Sequence, residues 1–216
     1  MSWPVVILYA VGTGVLAALF MIIPGFAKTS LGRMGETLEV WIFYAVILMA
    51  NCKRPLESAF KTFVFFLISQ PLIYLLQVPF SPLGWGTFSH YPYWFVWTLL
   101  TFPMAFAGWY IRKHNWLSLS IFLPILFLLT CDYVSGFMSA YVDFPHLIVT
   151  ALFCLGQVVL YMYVFTENIW QKLIGVLWPL AAVLLLFFVF NVKKVVFMVD
   201  RELVETVIKG IASWLM

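Results

Sequence analysis

Polar side chains set inside long apolar runs are where this chain has the means to do chemistry. An unpaired polar group in hydrocarbon is expensive, so each such residue calls for a partner or a task. Gln70, Tyr74 and Gln77 fall at i, i+4 and i+7, which places them on one face of a helix. Pro71 lies in the same turn and lacks a backbone N–H, so the carbonyl of Leu67 loses its helical donor. An amide beside a free carbonyl suits hydrogen bonding to a small molecule or coordination of an ion. The competing reading is a packing kink whose polar groups bond neighbouring helices.

Asp132 is the one acid well inside a long apolar run, with Tyr133 beside it and Ser135 and Ser139 at i+3 and i+7. Sixteen residues of helix from Trp116 place it roughly 24 Å along, at 1.5 Å per residue. A carboxyl there suits binding of a proton, a cation or an amine. Alternatively it marks the interfacial end of a shorter helix. Gln157 and Tyr161 form a further i, i+4 pair, with Thr150 and Cys154 on the same side. Gln157 lies near mid-span and needs a partner, for which Gln70 or Asp132 is the simplest expectation.

Other chemistries lack their residues. The sequence has no H-E-x-x-H, G-x-S-x-G, phosphate-loop or Rossmann glycine pattern. A single intramembrane aspartate does not make a paired-aspartate protease, and no arginine series or carbonyl-filter motif points to a voltage-gated channel. His90, His114 and His146 sit at run ends without metal-ligand spacing, so no metal and no cofactor is expected. Cys52, Cys131 and Cys154 form neither a metal set nor a disulfide framework and read as small packing residues.

The elements that position these residues follow from composition. Hydrophobic residues make up 64% of the 216 positions and charged residues 10%, with mean hydropathy +1.03. A soluble domain carries about 25% charged residues, so most of this surface must face lipid. Seven apolar runs separate: 3–25, 38–52, 59–80, 91–111, 116–141, 146–165 and 173–191. They predict an all-α, multi-pass transmembrane bundle of about seven spans over residues 1–191. Six are long enough to cross about 30 Å of hydrocarbon. The run 38–52 is short, and is expected to span by drawing in Glu36 and Thr37 and letting Lys53 and Arg54 reach the interface; a re-entrant or interfacial element is the alternative. No basic n-region precedes Trp3, so the first run reads as a retained span despite the cleavage-like Gly25-Phe26-Ala27. Prolines at 71, 103, 124 and 179 break four of the runs, and Gly14 with Ala18 marks close packing in the first. Residues 192–216 read as an amphipathic tail, whose apolar stripe includes Leu203, Val207, Ile211 and Leu215. That stripe suits the membrane surface or a protein partner.

Lys53, Arg54, Lys61, Arg112, Lys113 and Lys172 fall on one side of this topology, which places the N-terminus in the cytoplasm by the positive-inside rule. The four basic residues of the tail fall on the other side and weaken that assignment. The net charge of +3 implies lipid-headgroup contact rather than nucleic-acid binding. The general look is that of a small bacterial inner-membrane protein. The leading functional expectation is binding or transport of a small, largely apolar or aromatic solute, through Gln70, Tyr74, Gln77, Asp132, Tyr133, Gln157 and Tyr161. An ATP-driven route needs a separate ATPase subunit. An accessory subunit docking partners through its tail is the second expectation, and a lipid-modifying enzyme, lacking any nucleophile–base pair, the third.

Overall fold

The computed structural model describes residues 1–27, 29–32, 37–142 and 147–188. It is all-helical: α1 Trp3–Ile22, the single turn α2 Pro24–Ala27, α3 Leu38–Ala50, α4 Pro55–Gln77, α5 Tyr91–Gly108, α6 Trp116–Val142, α7 Leu147–Phe165 and α8 Ile169–Phe188. Two 3₁₀ segments, Gly84–His90 and Trp109–Lys113, extend α5 at its two ends. Six of these stretches are long and apolar enough to cross a membrane, so the chain is a polytopic membrane protein. The amphipathic tail, with Leu203, Val207, Ile211 and Leu215, lies outside the described residues.

Local chemistry sets the boundaries. Pro55 occupies the first turn of α4, where its missing N–H costs nothing, so the helix starts before the apolar run at 59. Glu57 in that turn accepts the Lys53 N–H at 2.8 Å and an ion pair from Lys61, one turn on. Asn115 caps α6: its Oδ1 accepts the Ser118 N–H at 2.8 Å, while the Ser118 hydroxyl accepts the Asn115 N–H at 3.0 Å. The chain turns into that cap through His114, whose φ of 52° is left-handed. The last helix starts at Ile169 rather than 173, behind an Asn168 side chain that accepts the Trp170 N–H at 2.9 Å.

Helix α1 packs along α4, and α4 along α5; α6 packs on both α7 and α8. Between these two groups lies α3. Trp41 and Leu48 belong to a core with Val6, Phe65, Phe66 and Trp94, whereas Val46 and Met49 belong to a second core with Phe122, Leu126, Val158 and Tyr161. Gly14 permits the close approach of α1 to α4, since a Cβ there would sit 3.0 Å from the Ser69 carbonyl oxygen.

One end of the bundle gathers the N-terminus and the basic loops. The Met1 ammonium donates to the Asn51 carbonyl at 3.2 Å, and Lys61 Nζ donates to the Met1 carbonyl. Trp109 Nε1 donates to the Cys52 carbonyl at 2.9 Å, joined there by the Arg112 guanidinium. His114 approaches the Glu167 carboxylate at 3.9 Å, which brings the α7–α8 connection to the same end. Lys61 belongs to α4 itself, yet its ammonium reaches this end.

Helix α3 is the short member of the bundle, and Glu36, which the run 38–52 was expected to draw in, lies outside the described residues. Its 13 residues give about 20 Å of helix at 1.5 Å per residue, against about 30 Å of hydrocarbon. Its C-terminus lies at the basic end, beside Met1. Its first turn lies well inside the bundle, where the Glu39 carbonyl accepts from Gln157 of α7 at 3.1 Å. As a helix, α3 covers only part of the thickness, and it is held by burial rather than by lipid.

Candidate functional site

An apolar cavity of about 320 Å³ lies among α3, α4, α5 and α6, at the small end of the roughly 300–1,000 Å³ typical of ligand pockets. Three residues of α4 one turn apart, Thr62, Phe66 and Gln70, form one wall. Trp41 comes from α3, Trp94 and Trp97 from α5, and Pro124 and Ile125 from α6. Trp41 and Phe66 meet with ring centroids 5.9 Å apart and planes inclined at 54°. Among the described residues, no charged side chain lines this space.

Its polar groups divide into two kinds. Thr98 and Thr101 donate to the carbonyls of Trp94 and Thr98 at 2.9 and 2.6 Å, so their hydroxyls are spent on their own helix. Gln70 differs. It is 1% exposed, and neither its Nε2 nor its Oε1 has a partner among the described residues. The Thr62 hydroxyl and the Trp41 indole N–H are likewise buried and unpartnered. An orphaned buried amide costs about 1–3 kcal/mol, which a ligand or ordered water in the cavity would return. The accessible lining is thus aromatic and uncharged, and the unpartnered N–H, O–H and amide groups are buried in the side chains of its wall.

The other sequence-derived candidates lie elsewhere. Tyr74 packs its ring against Phe88 and Tyr91, at centroid distances of 5.8 and 5.9 Å. Gln77 donates through Nε2 to the Met21 sulfur of α1 at 3.1 Å. These two share α4 with Gln70 but do not line its cavity. Gln157 bonds neither Gln70 nor Asp132, contrary to the expectation from sequence. Its Nε2 donates to the Glu39 carbonyl and its Oε1 accepts the Tyr161 hydroxyl at 2.7 Å, with Gln157 and Tyr161 each 2% exposed. That pair is a satisfied clasp between α7 and α3.

Asp132 is half-buried on α6, and the helix continues to Val142, so it does not mark a helix end. Its backbone carbonyl accepts the Ser135 hydroxyl at 3.2 Å. Tyr133 is buried in the second core, its ring 6.4 Å from that of Phe137. The cysteines are free and buried, and no metal-binding cluster of His, Cys, Asp and Glu occurs among the described residues.

Thr62, Trp41, Trp94 and Trp97 escaped the sequence reading. A signal for Thr62 was present: with Phe66 and Gln70 it sits at i, i+4 and i+8, the same stripe that picked out Tyr74. The tryptophans carried none, because a ring that faces lipid and one that faces a cavity look alike in sequence. No protein-family model, no curated protein and no solved structure matches this chain, so its function is read from the site itself.

Proposed function

We propose that this membrane protein binds a small, largely apolar or aromatic solute in the α3–α6 cavity, as part of moving or presenting that solute within the membrane. The observation that carries the reading is Gln70: a fully buried amide with both ends unpartnered, on the wall of a cavity otherwise built of rings and aliphatic groups. Natural bundles rarely leave such a group unsatisfied unless something else completes it. Prolines inside α4, α5, α6 and α8 each remove a backbone hydrogen bond from a continuous helix, and α4, α5 and α6 wall the cavity; this supports movement as well as binding. The basic end supports an orientation with Met1, Lys53, Arg54, Arg112 and Lys113 in the cytoplasm.

Native purification in a lipid disc followed by mass spectrometry of extracted small molecules tests the reading. The expected result is a compound retained by the wild-type protein and lost from Gln70→Leu. A protein that emerges empty, or retains the same compounds after that substitution, would overturn it.

A further inference from the structure

We propose that the cavity is filled sideways from the bilayer, through a gap between α5 and α6, and that its ligand is a neutral, flat ring compound bearing a carbonyl. This rests on the binding role proposed for Gln70 and adds the ligand's class and its route.

The route follows from which lining residues are also on the outside. Met104 is 52% exposed, and Ala107 and Pro124 are exposed, yet all three line the cavity. They come from α5 and α6, which touch only weakly although both pack extensively on other helices. Pro124 lies about 12 Å along α6 from Trp116, within the hydrocarbon. Exposure at that depth means contact with acyl chains. The gap is flanked by Pro103 on α5 and Pro124 on α6, each of which removes one backbone hydrogen bond from its helix. Toward the basic end the way is shut: Trp109 and Arg112 are tied to the Cys52 carbonyl, and Ile111 is buried.

The ligand class follows from the lining. With no charged side chain in the described lining, an ion would enter uncompensated. Trp41, Phe66, Trp94 and Trp97 offer faces and edges to a flat ring. Side chains of the wall carry buried, unpartnered donors, namely the Gln70 amide N–H₂, the Trp41 indole N–H and the Thr62 hydroxyl, which a rotation of each side chain would present to a ligand. Such a set selects an acceptor, and a ring carbonyl is the acceptor that a bilayer-soluble molecule carries at least cost. A compound of this kind partitions into lipid and reaches the α5–α6 gap without crossing water.

The test uses the full chain in lipid discs, with 2-methyl-1,4-naphthoquinone as the neutral probe and naphthoquinone sulfonate as its charged, water-soluble counterpart. Saturable quenching of tryptophan fluorescence reads equilibrium binding, and stopped-flow mixing reads the rates. The neutral probe is expected to bind, and Gln70→Leu to weaken it about tenfold. Ala107→Phe, a change where the lining meets the lipid-facing surface, is expected to slow association by about tenfold. The sulfonate is expected not to bind. An unchanged association rate in Ala107→Phe would overturn the lateral route while leaving the cavity's role intact, and binding of the sulfonate as tight as that of the neutral probe would overturn the neutral ligand class. Absence of saturable probe binding would overturn the ligand class. Binding indifferent to Gln70→Leu would overturn the underlying reading as well.

Discussion

Gln157 of α7 and Glu39 of α3, 118 residues apart, are joined by a hydrogen bond of 3.1 Å from the Gln157 amide to the Glu39 backbone carbonyl. The same glutamine accepts from Tyr161, so one side chain pins the buried first turn of α3 to the neighbouring helix. Gln157→Leu is expected to destabilise the bundle by about 1–3 kcal/mol, because the Tyr161 hydroxyl is left buried without its acceptor. Tyr161→Phe should cost less than about 2 kcal/mol. The double variant should fall short of the sum of the two, since each single change strands the other's partner. Unfolding in mixed micelles measures all three, and strict additivity would refute the clasp.

Gly108 and Met49 face each other on the cavity wall. A Cβ at Gly108 would collide with the Met49 sulfur, so Gly108→Ala must displace that thioether. The expected outcome is a small loss of stability, about 1 kcal/mol, with weaker binding of the naphthoquinone probe as Met49 shifts into the space. Adding Met49→Ala should restore much of the binding. If Gly108→Ala leaves probe affinity unchanged, the two residues do not shape the site.

Gly14 lets α1 lie against the α4 backbone at Ser69. Gly14→Val would force the helices apart at the point of closest approach, where a Cβ meets the Ser69 oxygen at 3.0 Å and the Leu72 side chain at 3.3 Å. A loss of about 1–3 kcal/mol is expected, read as a lower melting temperature. A Cβ at Gly12 would meet nothing within 4 Å, so Gly12→Ala serves as the control and should change little.

The topology is open to labelling because the native cysteines are buried. Ser2 and Lys113 are exposed near the basic end, and Ser89 is exposed in the connection leading into α5. With the basic end in the cytoplasm, a membrane-impermeant maleimide should label Ser89→Cys in intact cells. Ser2→Cys and Lys113→Cys should react only after permeabilisation. The opposite pattern would invert the orientation.

How far the sequence carried this structure depends on which forces were local. The long helices were legible because every lipid-facing turn must be apolar, and runs such as 91–111 announce that directly. The start of α4 was not, because Pro55 and Glu57 are helix-breaking or polar types that begin a helix ahead of its apolar run. Gln70 stood out as a polar group in hydrocarbon, and Gln157 with Tyr161 as an i, i+4 pair. The partner of Gln157 was illegible, since a backbone carbonyl at Glu39 has no sequence signature. The cavity itself was invisible for a related reason: it arises from how far α5 stands from α6, which no single helix encodes.

The brevity of α3 has a consequence for how the protein is made. A segment of 13 residues followed closely by Lys53 and Arg54 is a poor candidate to partition into lipid by itself. Trp41 finds its buried surroundings only against Phe65 and Phe66, which are synthesised later. Insertion of α3 is therefore expected to wait on α4, with the two entering as a hairpin whose turn keeps Lys53 and Arg54 at the interface. A lesion in the Phe65–Phe66 region would then surface first as a failure of biogenesis, with α3 left on the wrong side of the membrane.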